Sequence, residues 1–359
     1  MSNKLNLTRK LYIFDEVKYT LLNNLTFKNC DFIECIFWSY ELFYSGFVDE
    51  LCEILFEIYY KFYAIKYPKY ESKLNIKLNK KNINSILYVV NLLYYTPKIT
   101  TDIFEIYQKT PKSINKVYLI NHKNFKFLET LNIDHKYYKF VVAIHKNNFT
   151  NIMYYIKNNT FDNYNELYDS VKKYFNIVKK IKLEDKSLDS IHYSDKYLII
   201  VSLICYLKSD ISNINKRKIF RKFDKSQFKN KLDKFKMISG NKNYRILESN
   251  PLYHISKNIG CFPLTRFQFK NIKNEVRYHW DYHCSSSPIW LERLNKYKFK
   301  IDDSKKSVIF ENVDEEEEFY ETFDYEFDEQ SNELQECIIP GIKHNTINNW
   351  IEQLKKLIK

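Results

Sequence analysis

The stretch DFIECIFWSYELFYSGFVDELCEILFEIYYKFYAIKY, residues 31–67, decides the fold because it is the most strongly patterned part of the chain. Asp31 and Glu34 have the spacing of a capping box, which predicts a helix that begins at Asp31. The residues that follow, up to Tyr44, are apolar or aromatic on nearly every face, and such a helix must be surrounded by protein. We therefore expect a buried core helix that contains Trp38.

A second helix is predicted after a short link. Gly46 supplies the left-handed turn that ends the first helix, and the apolar stripe that follows, to about Lys66, includes Leu51 and Leu55. Because the link is short, we expect the two helices to be antiparallel neighbours in a core hairpin. The other face of the second helix carries a polar ladder with a spacing of four residues: Glu53, Glu57 and Lys61.

Composition bounds the class of protein. With 359 residues, 45% hydrophobic and 17% aromatic, the chain can bury a sizeable core and is not disordered. No window has the apolar length of a membrane span and no signal region begins the chain, so we expect a soluble, intracellular protein. Seven scattered cysteines indicate reduced thiols in a cytosolic setting. The net charge of +13 says less, because an AT-rich genome also raises lysine content.

Helical periodicity recurs along the first two thirds of the chain, and one β-hairpin is predicted where Phe299 and Ile301 precede, and Val308 to Phe310 follow, a polar turn. The predicted fold is mainly α, with a helical-hairpin or bundle N-terminal domain and a smaller α+β C-terminal domain. The predicted divisions are a helical domain 1–207, a basic connecting segment 208–245 and an α+β domain 246–359 with an acidic strip 311–336.

The glycines exclude several enzyme classes. They stand only at positions 46, 240, 260 and 341, so the chain has no P-loop, dinucleotide fingerprint, kinase glycine loop or nucleophile elbow. The sequence also has no Cys-x-x-Cys pair and no His-Glu-x-x-His motif. These absences exclude the familiar nucleotide-driven and serine-hydrolase chemistries but leave enzymes without compact motifs open. We predict no cofactor and no catalytic residue, and we favour a protein that is not an enzyme.

Three residues are weak candidates for metal ligands. His279 and His283 are four residues apart, which places two imidazoles on one face of a regular helix, and Cys284 follows directly. The set lacks a second pair of regular spacing, so histidines that pack or hydrogen-bond locally are the favoured alternative.

Residues 208–245 are the candidate for nucleic-acid binding. Thirteen Lys and Arg face three Asp there, and interleaved phenylalanines such as Phe235 have rings that can stack on bases. The alternatives are a solvated lysine face and a partner within the chain, since residues 311–336 hold thirteen carboxylates and no Lys or Arg. The residues predicted to contact phosphates are Lys216, Arg217, Lys218, Arg221, Lys222 and Lys225.

Three strings carry a resemblance: FWSYELFYSGF from residue 37, RYHWDYHCSSSPIWLERL from residue 277 and IFENVDEEEEFY from residue 309. They resemble a family of uncharacterised proteins of nucleocytoplasmic large DNA viruses of the giant-virus type. The resemblance implies a viral protein made in the host cytoplasm that acts there, at the replication site or in the virion. It transfers no functional residue to this chain.

The function that we expect is that of a non-enzymatic viral interaction or scaffold protein whose charged surfaces dock viral or host proteins. The first alternative is a nucleic-acid-binding accessory factor in viral replication, transcription or packaging, with DNA or RNA as its partner. A metal-dependent enzyme ranks third. No membrane span and no small-molecule ligand are predicted. The expectation rests on one idea, which is that apolar side chains serve internal helix contacts while the charges stay outside.

Overall fold

The computed structural model describes residues 4–27, 31–67, 70–96, 100–109, 125–157, 163–183, 196–208, 229–236 and 269–323, together with residues 352 and 356. Over these residues the chain is mostly helical and contains a single small antiparallel sheet of two strands, which confirms the mainly α prediction. None of the described helices has the length and the apolar character needed to cross a bilayer.

A π-helical turn, Tyr59–Tyr63, continues the third helix, and a 3-10 turn, His135–Tyr137, precedes the eighth. In chain order the helices are α1 (Phe14–Phe27), α2 (Phe32–Tyr44), α3 (Val48–Ile58), α4 (Tyr70–Leu78), α5 (Ile83–Tyr95), α6 (Asp102–Lys109), α7 (Phe127–Thr130), α8 (Tyr138–His145), α9 (Phe149–Lys157), α10 (Tyr164–Lys179), α11 (Lys196–Lys208), α12 (Lys229–Lys236), α13 (Ile272–Cys284), α14 (Pro288–Leu294) and α15 (Val313–Phe323), and the strands are β1 (Phe299–Asp302) and β2 (Ser307–Phe310).

The chain divides into two compact units, and the predicted domain boundaries at residues 207 and 245 remain predictions. The first unit holds the described parts of Met1–Leu55, Leu74–Thr96 and Ile219–Trp350, and the second holds those of Phe56–Lys73, Pro97–Lys218 and Ile351–Lys359.

Helix α2 lies at the centre of the first unit, packed against α1, α5 and α12, and Trp38 is only 3% exposed. The burial of the helix is as predicted, but the capping box is not. Asp31 is the N-cap residue by its backbone, yet its side chain makes no capping hydrogen bond. The Glu34 carboxylate instead accepts hydrogen bonds from Asn24 Nδ2 at 2.9 Å and from Trp38 Nε1 at 3.2 Å. The partner brought by α1 is thus preferred to the local cap.

Gly46 ends α2 with the left-handed turn that the sequence predicts, at φ +87°. The Phe47 N–H donates to the Leu42 carbonyl at 3.1 Å and the Gly46 N–H donates to the Phe43 carbonyl at 3.2 Å, which is the Schellman arrangement. A Cβ atom on Gly46 would lie 2.6 Å from Cβ of Pro288, which is closer than any side chain allows. Position 46 therefore requires glycine both for its backbone angle and for the contact with α14.

Helix α3 leaves this turn with Leu51 and Leu55 fully buried, as predicted. One detail differs from the prediction, since the helix is α-helical only to Ile58, where the π-helical turn takes over. The helices packed most extensively against α2 in the described part of the chain are α1, α5 and α12, and the antiparallel pairing of α2 with α3 stays a prediction.

A second feature of the first unit is an apolar core shared by two distant parts of the chain, residues 4–13 and 269–323. The predicted β-hairpin is confirmed, with Ile301 opposite Val308, and it covers this core together with α15. The buried members of the core are Leu5, Leu7, Leu11, Ile13, Val276, Trp280, Cys284, Trp290, Leu294, Val308, Phe310 and Phe319.

The second unit contains α6 and α8 to α11 around the π-helical turn. The turn changes the hydrogen-bond register of the helix, and two carbonyls within it are bonded from outside: Ser202 Oγ donates to the Tyr60 carbonyl at 2.7 Å, and the Thr100 N–H donates to the Phe62 carbonyl at 2.8 Å. Glu57 and Lys61, predicted as part of a polar ladder, form a buried ion pair with side chains 7% and 2% exposed. The prediction that the charges stay outside the core is therefore wrong for Glu57 and Lys61.

Candidate functional site

The six basic residues predicted to contact nucleic acid lie outside the described residues: Lys216, Arg217, Lys218, Arg221, Lys222 and Lys225. The described end of the basic stretch is α12, on which Lys229, Lys231 and Lys236 are exposed. Phe235, predicted as a ring for base stacking, packs edge-on against Phe37 with 5.3 Å between the ring centroids. The Phe235 ring therefore packs against another part of the same chain.

His283 is a fully buried histidine on α13. Its Nδ1 accepts a hydrogen bond from the Leu5 N–H at 3.0 Å, so in the neutral ring the proton is on Nε2. Nε2 lies 3.3 Å from Oε1 of Glu275, a distance typical of an ion pair, but the angles do not make a hydrogen bond. Burial lowers the pKa of His283 to about 4 even though the Glu275 carboxylate acts in the opposite direction. The ring is therefore neutral at pH 7.

The three weak metal candidates, His279, His283 and Cys284, lie in different surroundings. Cys284 is fully buried in the apolar core, where burial raises the pKa of its thiol. His279 is half-buried, and its Nδ1 lies 3.0 Å from the Lys306 carbonyl, to which it donates. Within the described ranges no three His, Cys, Asp or Glu side chains lie close enough together to hold a metal ion.

Residues 4–13 are held in place by side chains that bond to their backbone. Ser287, which precedes α14, uses its hydroxyl in this way and makes no capping hydrogen bond to its own helix. The donors and acceptors alternate along the segment, so its polar backbone can be buried without loss of hydrogen bonds. Four of these bonds are Leu5 N–H to His283 Nδ1 (3.0 Å), Leu7 N–H to Ser287 Oγ (2.7 Å), Trp290 Nε1–H to the Thr8 carbonyl (2.8 Å) and Ser286 Oγ–H to the Leu5 carbonyl (3.0 Å).

Arg9 and Glu41 form a buried ion pair at the end of this segment. Arg9 Nε donates to Glu41 Oε2 at 3.0 Å, and the two side chains are 1% and 0% exposed. The Arg9 Nη groups donate to the carbonyls of Phe235 and of the residue after it, and Glu41 Oε1 accepts from the Lys10 N–H at 2.9 Å. The guanidinium lies 5.1 Å from the centroid of the Tyr44 ring. The pair is thus saturated with partners and serves structure.

A pocket of about 330 Å³ opens between the first turn of α13 and the turn that joins β1 to β2. Lys306 closes it from the hairpin side, and its Nζ lies 2.5 Å from Oε1 of Glu275. The residues on the helix side are Phe269, Lys270, Asn271, Asn274, Glu275, Tyr278 and His279.

Two residues of the pocket have unusual backbone angles. His279 interrupts α13 with φ −138° and ψ 27°, and Lys306 has φ +54°, the left-handed region that favours glycine or asparagine. The hydrogen bond from His279 Nδ1 to the Lys306 carbonyl joins the two positions. The left-handed backbone of Lys306 is strained, and such strain persists only where the surrounding structure fixes it.

Helix α15 presents most of the described part of the acidic strip, and Glu311, which precedes the helix, is paired with Lys298 at 3.0 Å. Phe319 is fully buried and anchors the helix, with its ring centroid 5.2 Å from that of Phe310 and 6.2 Å from that of Trp280. Glu315 is half-buried and accepts a hydrogen bond from the Lys298 N–H at 3.1 Å. The remaining carboxylates are exposed, and none has an ion-pair partner among the residues that the structure describes: Asp314, Glu316, Glu317, Glu318 and Glu321.

Sequence reasoning missed most of the pocket. It singled out His279, but as one of two ligands on a regular helix, whereas the kink at His279 interrupts that helix. Glu275 and Lys306 were not singled out, because nothing local joins residues 31 positions apart. A signal was available at Lys306, since a four-residue turn between alternating strands needs a left-handed residue at its end.

No family model, no curated protein and no solved structure matches this chain.

Proposed function

We propose that the chain is a non-enzymatic interaction or scaffold protein that docks a basic protein partner on the acidic face of α15. The observation that carries the proposal is the set of five exposed carboxylates on this helix without an ion-pair partner in the described part of the chain. Four of them, Asp314, Glu317, Glu318 and Glu321, are spaced by three or four residues and so share one face of α15, where they create a local negative potential that attracts lysine and arginine side chains.

The anchoring of α15 supports a docking role. Phe319 fixes the helix in the aromatic core that also contains Trp280 and Phe310, so the carboxylates are presented from a rigid support. Val313, at the start of the helix, is 65% exposed and offers an apolar contact beside the charges. A preorganised surface loses less conformational entropy on binding than a mobile tail.

The viral origin implied by the resemblance is part of this proposal. Viral or host proteins are then the partners, and the host cytoplasm, the replication site or the virion is the place of action. The charge of the partner is the specific part, because the face of α15 selects for basic surfaces.

The test is binding of a fluorescent lysine-rich peptide, followed by anisotropy at low and at physiological salt. The triple variant Glu317→Gln, Glu318→Gln, Glu321→Gln removes three exposed charges that are spaced by three or four residues and so share one face of α15. Because an exposed ion pair contributes about 0.2–1 kcal/mol, we expect the variant to bind about tenfold more weakly, with a smaller dependence on salt.

A matched control has the same change in net charge. Glu50, Glu129 and Glu292 are exposed carboxylates outside α15, and their replacement by Gln should leave peptide binding unchanged. The net charge of +13 opposes a basic ligand at long range, so binding that does occur has to come from a local acidic surface. If both triple variants lose the same affinity, or if the wild type does not bind the peptide, the proposal is wrong.

A nucleic-acid-binding accessory factor is the second candidate function. It is favoured by the exposed lysines of α12, of which Lys229 and Lys231 have no ion-pair partner among the described residues, and by the net charge of +13. Titration with DNA and RNA at two salt concentrations tests it. Binding that weakens steeply with salt and is lost when Lys216, Arg217, Lys218, Arg221 and Lys222 are neutralised would favour this function over the first.

A further inference from the structure

We propose that the pocket between the first turn of α13 and the β1–β2 turn binds a nucleoside phosphate, with the phosphate at Lys270 and the base against Tyr278. This site goes beyond the docking function and was not expected from the sequence, which predicted no small-molecule ligand. The charge, the aromatic rings and the backbone geometry of the pocket each favour such a ligand.

The charge of the pocket favours an anion. The Lys270 ammonium is exposed and has no ion-pair partner within the described ranges. The one carboxylate in the lining, Glu275, is paired with Lys306 at 2.5 Å, so its charge is compensated. Together these groups leave one uncompensated positive charge for a phosphate.

The rings and amides favour a ligand larger than phosphate. Tyr278 is 63% exposed, and a tyrosine face at a pocket can stack on a nucleobase. The Phe269 ring is fixed edge-on against His283, with 5.6 Å between centroids, and forms an apolar wall. The Asn274 amide is exposed and has both a donor and an acceptor for the edge of a base. A volume of about 330 Å³ is in the range of pockets that hold small organic ligands.

The backbone geometry indicates that the site is preorganised. Lys306 adopts the left-handed backbone at φ +54°, and its carbonyl accepts the hydrogen bond from His279 Nδ1. Because Nδ1 is the donor in that bond, the neutral ring has its lone pair on Nε2, which has no hydrogen-bond partner among the described residues. This nitrogen can accept a hydrogen bond from a ribose hydroxyl.

The first experiment is calorimetric titration of the full chain with adenosine 5′-monophosphate in a phosphate-free buffer. We expect saturable binding, with adenosine alone and inorganic phosphate alone each about tenfold weaker, because each lacks one half of the contacts. Tyr278→Ala and Lys270→Gln should each weaken nucleotide binding by about tenfold. Lys296→Gln is the matched control, since Lys296 is an exposed lysine outside the pocket and its loss should change nothing.

A pair of variants with opposite expected signs separates a binding role from a structural one. Glu275→Gln removes the only carboxylate of the lining and releases the Lys306 ammonium, so nucleotide binding should become tighter. Lys306→Gly suits the left-handed backbone at φ +54° but exposes the Glu275 carboxylate, so binding should become weaker in a chain that is still folded. A merely structural network would lower stability in the first variant and would not tighten binding.

A nucleoside phosphate can be free or can be the end of a single strand. A 5′-phosphorylated single-stranded oligonucleotide that binds more tightly than the free nucleotide, with an advantage that Tyr278→Ala removes, identifies a strand end as the source. Equal affinity identifies the free nucleotide. The proposal is overturned if the nucleotide shows no saturable binding at millimolar concentration, or if Lys296→Gln weakens binding as much as Lys270→Gln.

Discussion

The charged side chains at the junction of Arg9 and Glu41 are buried, whereas most of those on α15 are exposed. Arg9 and Glu41 are almost completely excluded from solvent and have all their bonds within the chain. The carboxylates of α15 are exposed and have no ion-pair partner in the described residues, Glu315 apart with its backbone bond. We therefore expect Arg9 and Glu41 to contribute to folding and the carboxylates of α15 to be accessible to a partner. Changes in the two regions should therefore affect different measurements.

The largest effect is expected from Glu41→Gln. The substitution keeps the shape of the side chain but leaves the Arg9 cation buried without its counter-charge, and breaking one partner of a buried pair costs about 3–5 kcal/mol. Urea unfolding followed by circular dichroism measures the loss of free energy of unfolding.

The double variant Arg9→Met, Glu41→Leu is the control for this prediction. Apolar side chains of similar volume remove both charges together, and such replacements are often neutral or stabilising, so part of the lost stability should return. A loss below about 1 kcal/mol in Glu41→Gln would mean that the junction is not the structural element that the comparison makes it.

Gly46→Ala is expected to cost about 2–4 kcal/mol, because strain from a positive φ adds to overpacking against Pro288. Gly46→Asn separates the two causes, since asparagine tolerates the left-handed region but brings the same Cβ atom. If backbone strain dominates, the asparagine variant is clearly the more stable of the two in thermal unfolding. Equal losses would place the whole effect on the contact with Pro288. A loss in neither variant would contradict the close approach of α2 and α14.

Gly46 and the residues that follow it show what the sequence could predict. Gly46 was assigned its left-handed turn, and Leu51 and Leu55 their burial, because the signals are local: the position of a glycine and the spacing of apolar residues. The hairpin of β1 and β2 was predictable for the same reason. The contact between Gly46 and Pro288 was not predictable, because no residue near position 46 indicates that a helix about 240 positions away in the chain packs there.

The same limit applies to the sites. The bond between Leu5 and His283 joins residues 278 positions apart, and the pair of Arg9 and Glu41 joins residues 32 apart, so neither is visible in a local pattern. The capping box was a local pattern that the fold overrode, because Asn24 on a neighbouring helix supplied a partner for Glu34. The idea that charges stay outside failed at Arg9 because backbone carbonyls and Glu41 together replace water.

The next prediction concerns His283, the titratable group that holds the N-terminal segment. Its folded pKa of about 4 is below the ordinary value of 6.5, so protons bind preferentially to the unfolded chain between these values. The stability that His283 provides is therefore intact above pH 6.5 and is lost as the pH falls towards 4. We expect a loss of about 2 kcal/mol between pH 7 and pH 5.

His283→Asn is the variant that tests this loss. The asparagine Oδ1 replaces Nδ1 as the acceptor for the Leu5 N–H but does not titrate. The variant is less stable at pH 7 because it leaves a cavity, and its difference from the wild type should shrink by about 2 kcal/mol at pH 5. A difference that stays constant over this range would show that His283 titrates normally in the folded chain.

The smallest effect is expected at α15, and it has the opposite sign. Glu321 is in the last turn of the helix, where a carboxylate is unfavourable with the helix dipole, and it lies four residues after Glu317 and three after Glu318. Glu321→Gln should therefore stabilise the chain by about 0.3–1 kcal/mol.

Asp314→Asn is the matched control: it removes a charge from the first turn, where a carboxylate is favourable, so it should give no such gain. A stabilised Glu321→Gln variant that binds the lysine-rich peptide less well would show that this face is maintained for binding at the expense of stability, which is the reverse of the junction at Arg9. A destabilised variant would mean that Glu321 has an internal partner and belongs with the charges that fold the chain.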